Sequence, residues 1–142
     1  MPAQPPQRLL TPVSPDLIAR FLTTAFFAIV FLQSALDKLM DRQGNLAYMS
    51  DHFKNSPLPP AAVPLLFWTL TGIEASAGGL CALGLLLRDY MSKGFGVAAC
   101  GVSVSGVALL CLLVGQRLAK DYAGAAVVAA YFAVALIGMT SF

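Results

Sequence analysis

Glu74 stands near the centre of an otherwise apolar stretch, from Ala61 to Leu87, that is long enough to cross a bilayer. In hydrocarbon an ionised carboxylate must find a cation, a set of donors or a proton, so its chemistry demands an explanation. One turn away, Thr71 and Gly78 offer a hydroxyl and space. Donors at comparable depth are Gln33 and Ser34 in the first apolar stretch, Ser103 and Ser105 in the third and Tyr131 in the fourth. Glu74, Gln33, Ser34 and Tyr131 form the candidate intramembrane polar site. Three readings of it stay open. The carboxyl is protonated and clasps two helices, or it meets a quinone head group, a polar substrate or a proton, or it contacts another subunit.

A second constellation is charged and interfacial. Asp37, Lys38, Asp41 and Arg42 follow the first apolar stretch, and Arg117, Lys120 and Asp121 separate the third from the fourth. Both groups fall on one side of the membrane, so Asp37, Lys38, Arg117, Lys120 and Asp121 are expected to form ion pairs or to dock a partner. The plainer alternative is that they are solvated helix ends and headgroup anchors.

Other chemistries find no residues to carry them. The only histidine, His52, lies in a loop, so one chain cannot supply two intramembrane axial ligands to a haem or one to a chlorophyll. Cys81, Cys100 and Cys111 form no CxxC pair, which removes a dithiol relay and a zinc site; they read as small hydrophobes. No glycine-rich phosphate loop precedes a helix in a strand-containing context. The nine basic residues form no run or stripe, so nucleic acid is not expected as a partner. No catalytic residue and no metal ligand are assigned, and whether the chain is an enzyme stays open.

The elements that must position these residues are membrane helices. Of 142 residues, 58% are hydrophobic and 11% charged, and the mean hydropathy of +0.75 lies outside the soluble globular range. Residues 1–15 read as a proline-rich polar arm without signal-peptide layout, and 16–142 as one domain of four membrane-spanning helices. Ser14-Pro15-Asp16 opens the first helix, and Leu17 to Lys38 would span about 33 Å. Arg20 and Asp37-Lys38 are expected to snorkel to its two interfaces. The second span runs from Ala61 to Leu87, the third from Gly94 to Gln116 and the fourth from Tyr122 to Phe142. Between spans one and two, Leu46, Met49 and Phe53 recur with Asp51, His52 and Lys54 interleaved, the pattern of a short amphipathic helix on the membrane surface. Pro57, Pro59 and Pro60 end it.

Small residues four apart offer grooves for close helix packing: Gly72 and Ser76, Ala75 and Gly79, Gly101 and Ser105, Ala126 and Ala130. A compact all-α four-helix bundle is expected. Trp68, Tyr90 and Tyr122 suit the interfaces. Four spans bring the chain back to the side it started from. Arg8, Arg20, Arg88 and Lys93 on one side against Lys38, Arg42, Lys54, Arg117 and Lys120 on the other give the positive-inside rule no preference.

From about Arg20 to Gly138 the pattern resembles the DoxX family of small four-helix bacterial membrane proteins. The resemblance rests on Arg20 before the first span, Asp37-Lys38-Leu39 at its end, and Phe53 followed by Pro57-Leu58-Pro59. It continues through Glu74, Gly78, Gly79, Leu80, Gly84 and Arg88, and the hairpin Gly115 to Tyr122. It implies a bacterial inner-membrane protein with cytoplasmic termini, associated with redox systems. The expected function is an accessory subunit of a larger electron-transfer, respiratory or photosynthetic complex, in contact with lipids and other membrane subunits. It carries no intrinsic cofactor, and a quinone or lipid is its expected ligand. The alternatives are a quinone-linked oxidoreductase component with Glu74 in acid–base work, and a small transporter.

Overall fold

The computed structural model describes residues 13–142. Most of the expected arm, up to residue 12, lies outside the described residues. The rest folds into five α-helices, and no strand occurs among the described residues. Helix α1 covers Pro15–Met40, α2 Arg42–His52, α3 Val63–Leu86, α4 Val97–Leu118 and α5 Tyr122–Met139. All but α2 are long and apolar enough to cross a membrane.

Short side chains set the helix boundaries. Ser14 opens α1, its hydroxyl accepting from the Leu17 amide at 3.2 Å, with Pro15 in the first turn where its missing N–H is no loss. Asp41 serves two helices. Its amide donates to the Asp37 carbonyl (3.0 Å) to end α1, and its carboxylate accepts from the Gly44 amide (2.9 Å) to begin α2. Asn45 ties the corner by donating to the carbonyls of Asp37 and Asp41. Asp89 and Asp121 repeat the capping device, accepting from Ala98 and Gly124, each at 2.9 Å, at the starts of α4 and α5.

Helix α3 packs on both α1 and α4, while α5 packs on α4 and reaches α1. The contacts are close because glycines stand at them. A Cβ on Gly78 would lie 2.6 Å from the Leu32 amide nitrogen of α1. One on Gly101 of α4 would lie 2.7 Å from the Cys81 nitrogen of α3. Phe27, Phe31, Ala77, Cys81, Val102 and Leu109 fill the core between these backbones.

Of the four expected small-residue pairs, Gly101 and Ser105 lie buried between α3 and α4. Gly72, Ala75 and Ser76 face outward, as do Ala126 and Ala130, and nothing lies within 4 Å of a Cβ placed on Gly72 or Gly79. Spacing by four marks a face of a helix but not which face turns inward. In α3 the inward face carries Phe67, Thr71, Glu74, Ala77 and Cys81. Large apolar side chains such as Ile29, Leu65, Leu86 and Ile137 cover the outside, as a bundle surrounded by lipid requires.

The two ends of the bundle differ. At the end holding the start of α1 and the close of α5, the buried Arg20 guanidinium donates to the carbonyls of Ser92 and Asp16. Arg20 thus stays inside the protein and fastens α1 to the α3–α4 connection. At the other end, α1 stops early. Gly78 lies against Leu32, so in antiparallel register Met40 stands level with about Leu70, roughly 10 Å short of the start of α3. Helix α2 folds across the gap.

Candidate functional site

Shortening α1 leaves α3 and α4 projecting beyond it, and α2 roofs the space between them. The result is a cavity of about 410 Å³. Its walls are mainly apolar: Phe53 at the end of α2, Leu66, Phe67, Leu70 and Ile73 of α3, and Leu112 of α4. Polar groups are few and sit around it, namely Lys38, Asn45, His52, Thr69 and Gln116. Cys111 of α4 also lines the wall.

The roof is fastened at its far end. The His52 ring and the Gln116 amide are hydrogen-bonded, Nε2 to Oε1 at 2.9 Å, which joins α2 to α4. Tyr48 stacks on His52 from the preceding turn, with ring centroids 5.7 Å apart. Phe53 is buried, and its ring lies against Gly115 of α4. The expected amphipathic helix therefore exists, and its Met49 and Phe53 look into a protein cavity.

At the inner margin lies Glu74, 1% exposed, with Lys38 as its partner. The Lys38 ammonium donates to Glu74 Oε2 at 2.5 Å and to Ser34 Oγ at 2.8 Å. Ser34 in turn donates to Glu74 Oε2 at 3.2 Å. Lys38 and Ser34 are one turn apart on α1, so both reach the same carboxylate on α3. A helical side chain leans over the turn before its own Cα, which directs Lys38 into the bundle. Lys38 thus does not snorkel outward; its side chain is only 14% exposed.

Of the residues singled out around Glu74, Ser34 alone bonds to it. Gln33 is exposed on the outer face of α1. Tyr131 packs edge-on against Phe26, with centroids 5.3 Å apart. The hydroxyls of Ser103 and Ser105 donate to the carbonyls of Ala99 and Gly101 on their own helix. The expected ion pairs between the end of α1 and the α4–α5 turn are not formed among the described residues. Asp121 is engaged as a cap, Arg117 lies over the Tyr122 ring with 5.0 Å to its centroid, and Asp37 and Lys120 are exposed. Lys38 of that cluster pairs instead with Glu74, which was grouped separately. Register of α1 against α3 would have exposed the pairing, but it is set by the close approach of Gly78 to Leu32, which no local pattern states.

The chemistry of the arrangement is that of a neutral clasp beside a greasy chamber. One cation and one anion cancel, and every buried side-chain nitrogen and oxygen among the described residues has a partner. No three His, Cys, Asp or Glu side chains among the described residues are grouped to hold a metal.

A family model described as methylamine utilisation protein MauE matches residues 16–90, which take in α1, α2, α3 and the connection towards α4. No curated protein matches, and no solved structure does. The match is to a multi-pass membrane family other than DoxX, and it overturns the DoxX resemblance. The elements behind that resemblance were short and built of residues common to many membrane helices, so their layout could not separate one four-helix family from another. The matched segment contains both members of the Lys38–Glu74 pair and the whole roof of the cavity.

Proposed function

This chain belongs to the family of the methylamine utilisation protein MauE, and from that membership we propose that it is an accessory membrane subunit of a bacterial redox system. In this reading it is a multi-pass protein of the cytoplasmic membrane that assembles with other membrane subunits. The observation that carries the reading is the family match over residues 16–90, and the Lys38–Glu74 pair inside that segment has the form of a structural clasp. The sole glutamate of the chain, and the sole acid in the middle of a span, is bonded to a lysine and a serine of the neighbouring helix. A carboxylate held by a cation and a hydroxyl of the neighbouring helix fastens the two helices together.

The docking face is the cavity end. There Asp37, Arg117 and Lys120 stand exposed around the roof helix, on which no residue is buried. Charges of both signs on an exposed helix end suit a polar rim, where they orient a partner more than they bind it. Purification from native membranes in mild detergent tests the assignment. A stable stoichiometric assembly with redox subunits is expected, and recovery as a lone monomer or homodimer would refute it.

A further inference from the structure

We propose that the roofed cavity is a binding site for a neutral amphiphile whose apolar body carries a carbonyl oxygen. The inference stands apart from the accessory role, because it concerns a small ligand inside the chain and not the assembly around it.

Three observations carry it. First, the chamber has a volume of about 410 Å³ and is walled mainly by aliphatic and aromatic side chains. That volume lies within the range of small-molecule sites and suits a ring or an acyl segment. Second, Lys38 is part of the wall, and an ammonium has three N–H donors. Two go to Glu74 and Ser34; the third has no partner among the described residues. A carbonyl oxygen entering from the cavity completes the set. Third, the charge at this margin is already balanced. Glu74 cancels Lys38, and Asn45, Thr69 and Gln116 bring no charge. An anionic head group would place an uncompensated negative charge in a medium that penalises it, whereas a neutral carbonyl brings only a dipole.

The roof turns the space between α3 and α4 into a chamber. Helix α2 is fastened to α4 across it through His52 and Gln116. Two abundant membrane components share the required chemistry: the ester group of a glycerolipid chain and the ring carbonyl of a quinone. Both present a carbonyl close to an apolar body.

Cys111 supplies the readout, since it lines the cavity. The full-length protein would be reconstituted in ester-linked or in ether-linked phosphatidylcholine vesicles. Each preparation would be treated with N-ethylmaleimide, with and without a short-tailed benzoquinone fully substituted on its ring so that it cannot add a thiol, and modification followed at each cysteine. Slow modification of Cys111 in ester-linked vesicles that becomes fast in ether-linked ones identifies the lipid ester as the source. Fast modification in both that is slowed only by the benzoquinone identifies a quinone. Cys111 reacting at one rate in all four conditions would overturn the proposal.

Two variants locate the effect. Leu70→Trp adds an indole to the chamber wall while keeping both charges of the ion pair, and is expected to remove ligand-dependent protection. The double variant Lys38→Met with Glu74→Gln removes the donor and leaves no lone buried charge, so the bundle is retained. It is expected to weaken protection on the order of tenfold, the effect of one hydrogen bond to a charged group. If protection survives both variants unchanged, the ligand binds elsewhere and the inference fails.

Discussion

At the scale of single residues, the cost of a lone charge in hydrocarbon governs what Glu74 and Lys38 do to each other. With both present, each neutralises the other at the margin of the bundle. Removing one leaves the other in place without its counter-ion. Lys38→Met should therefore destabilise the protein by about 3 kcal/mol or more, and combining it with Glu74→Gln should restore most of the loss. A double-mutant cycle in detergent unfolding measures this, and additive effects would show that the pair is not coupled. Glu74→Gln alone, which a protonated clasp would tolerate almost silently, is expected to be costly here. Glycine offers a second contrast within one helix pair. Gly101→Ala would push a methyl into the α3 backbone, at a cost of about 1–3 kcal/mol. Gly72→Ala meets nothing within 4 Å, so its effect should stay within about 0.5 kcal/mol in the same melts.

Among the elements, the four spans were legible because length and apolar content alone dictate them. Their ends fall within a few residues of where Pro15, Pro60, Gly94 and Asp121 place them. The short helix over the interface was legible too, from the spacing of Leu46, Met49 and Phe53. What the sequence hid was relative height. Nothing local states that α1 stops about 10 Å short of α3, yet that offset makes the cavity and sets Lys38 beside Glu74. It also hid the capping duties of Asp41 and Asp121, the second of which took an acid out of the expected ion-pair cluster. At this scale the His52–Gln116 bond is the restraint on the roof. His52→Ala removes it together with the Tyr48 stack, and should loosen α2 by about 1 kcal/mol. Faster amide hydrogen exchange across α2, with α3 and α4 unchanged, is the expected signature.

For the whole molecule, the even number of spans fixes sidedness. The α3–α4 connection and the close of α5 share one end, and the α4–α5 turn lies at the other. Single cysteines at Lys93 and Lys120, in a background without the native cysteines, should react with an impermeant thiol reagent from opposite sides of sealed vesicles. Reaction of both from the same side would contradict the bundle. The two ends also differ in construction. One is knitted shut by Arg20 and by the amide of Gly94 donating to the Phe142 carbonyl at 2.9 Å. The other carries the exposed charges and the chamber.

The clasp between α1 and α3 bears on how the chain is made. Helices emerge from the ribosome in order, and α1 is complete before Glu74 has been synthesised. When α3 follows, its carboxylate has one cation waiting on the first span, at one height. A bundle that matched α3 with a wrong neighbour, or slid it by a turn, would strand both charges in lipid. The pair therefore favours one partner and one height for α3 over the alternatives, since only the native pairing leaves neither charge alone.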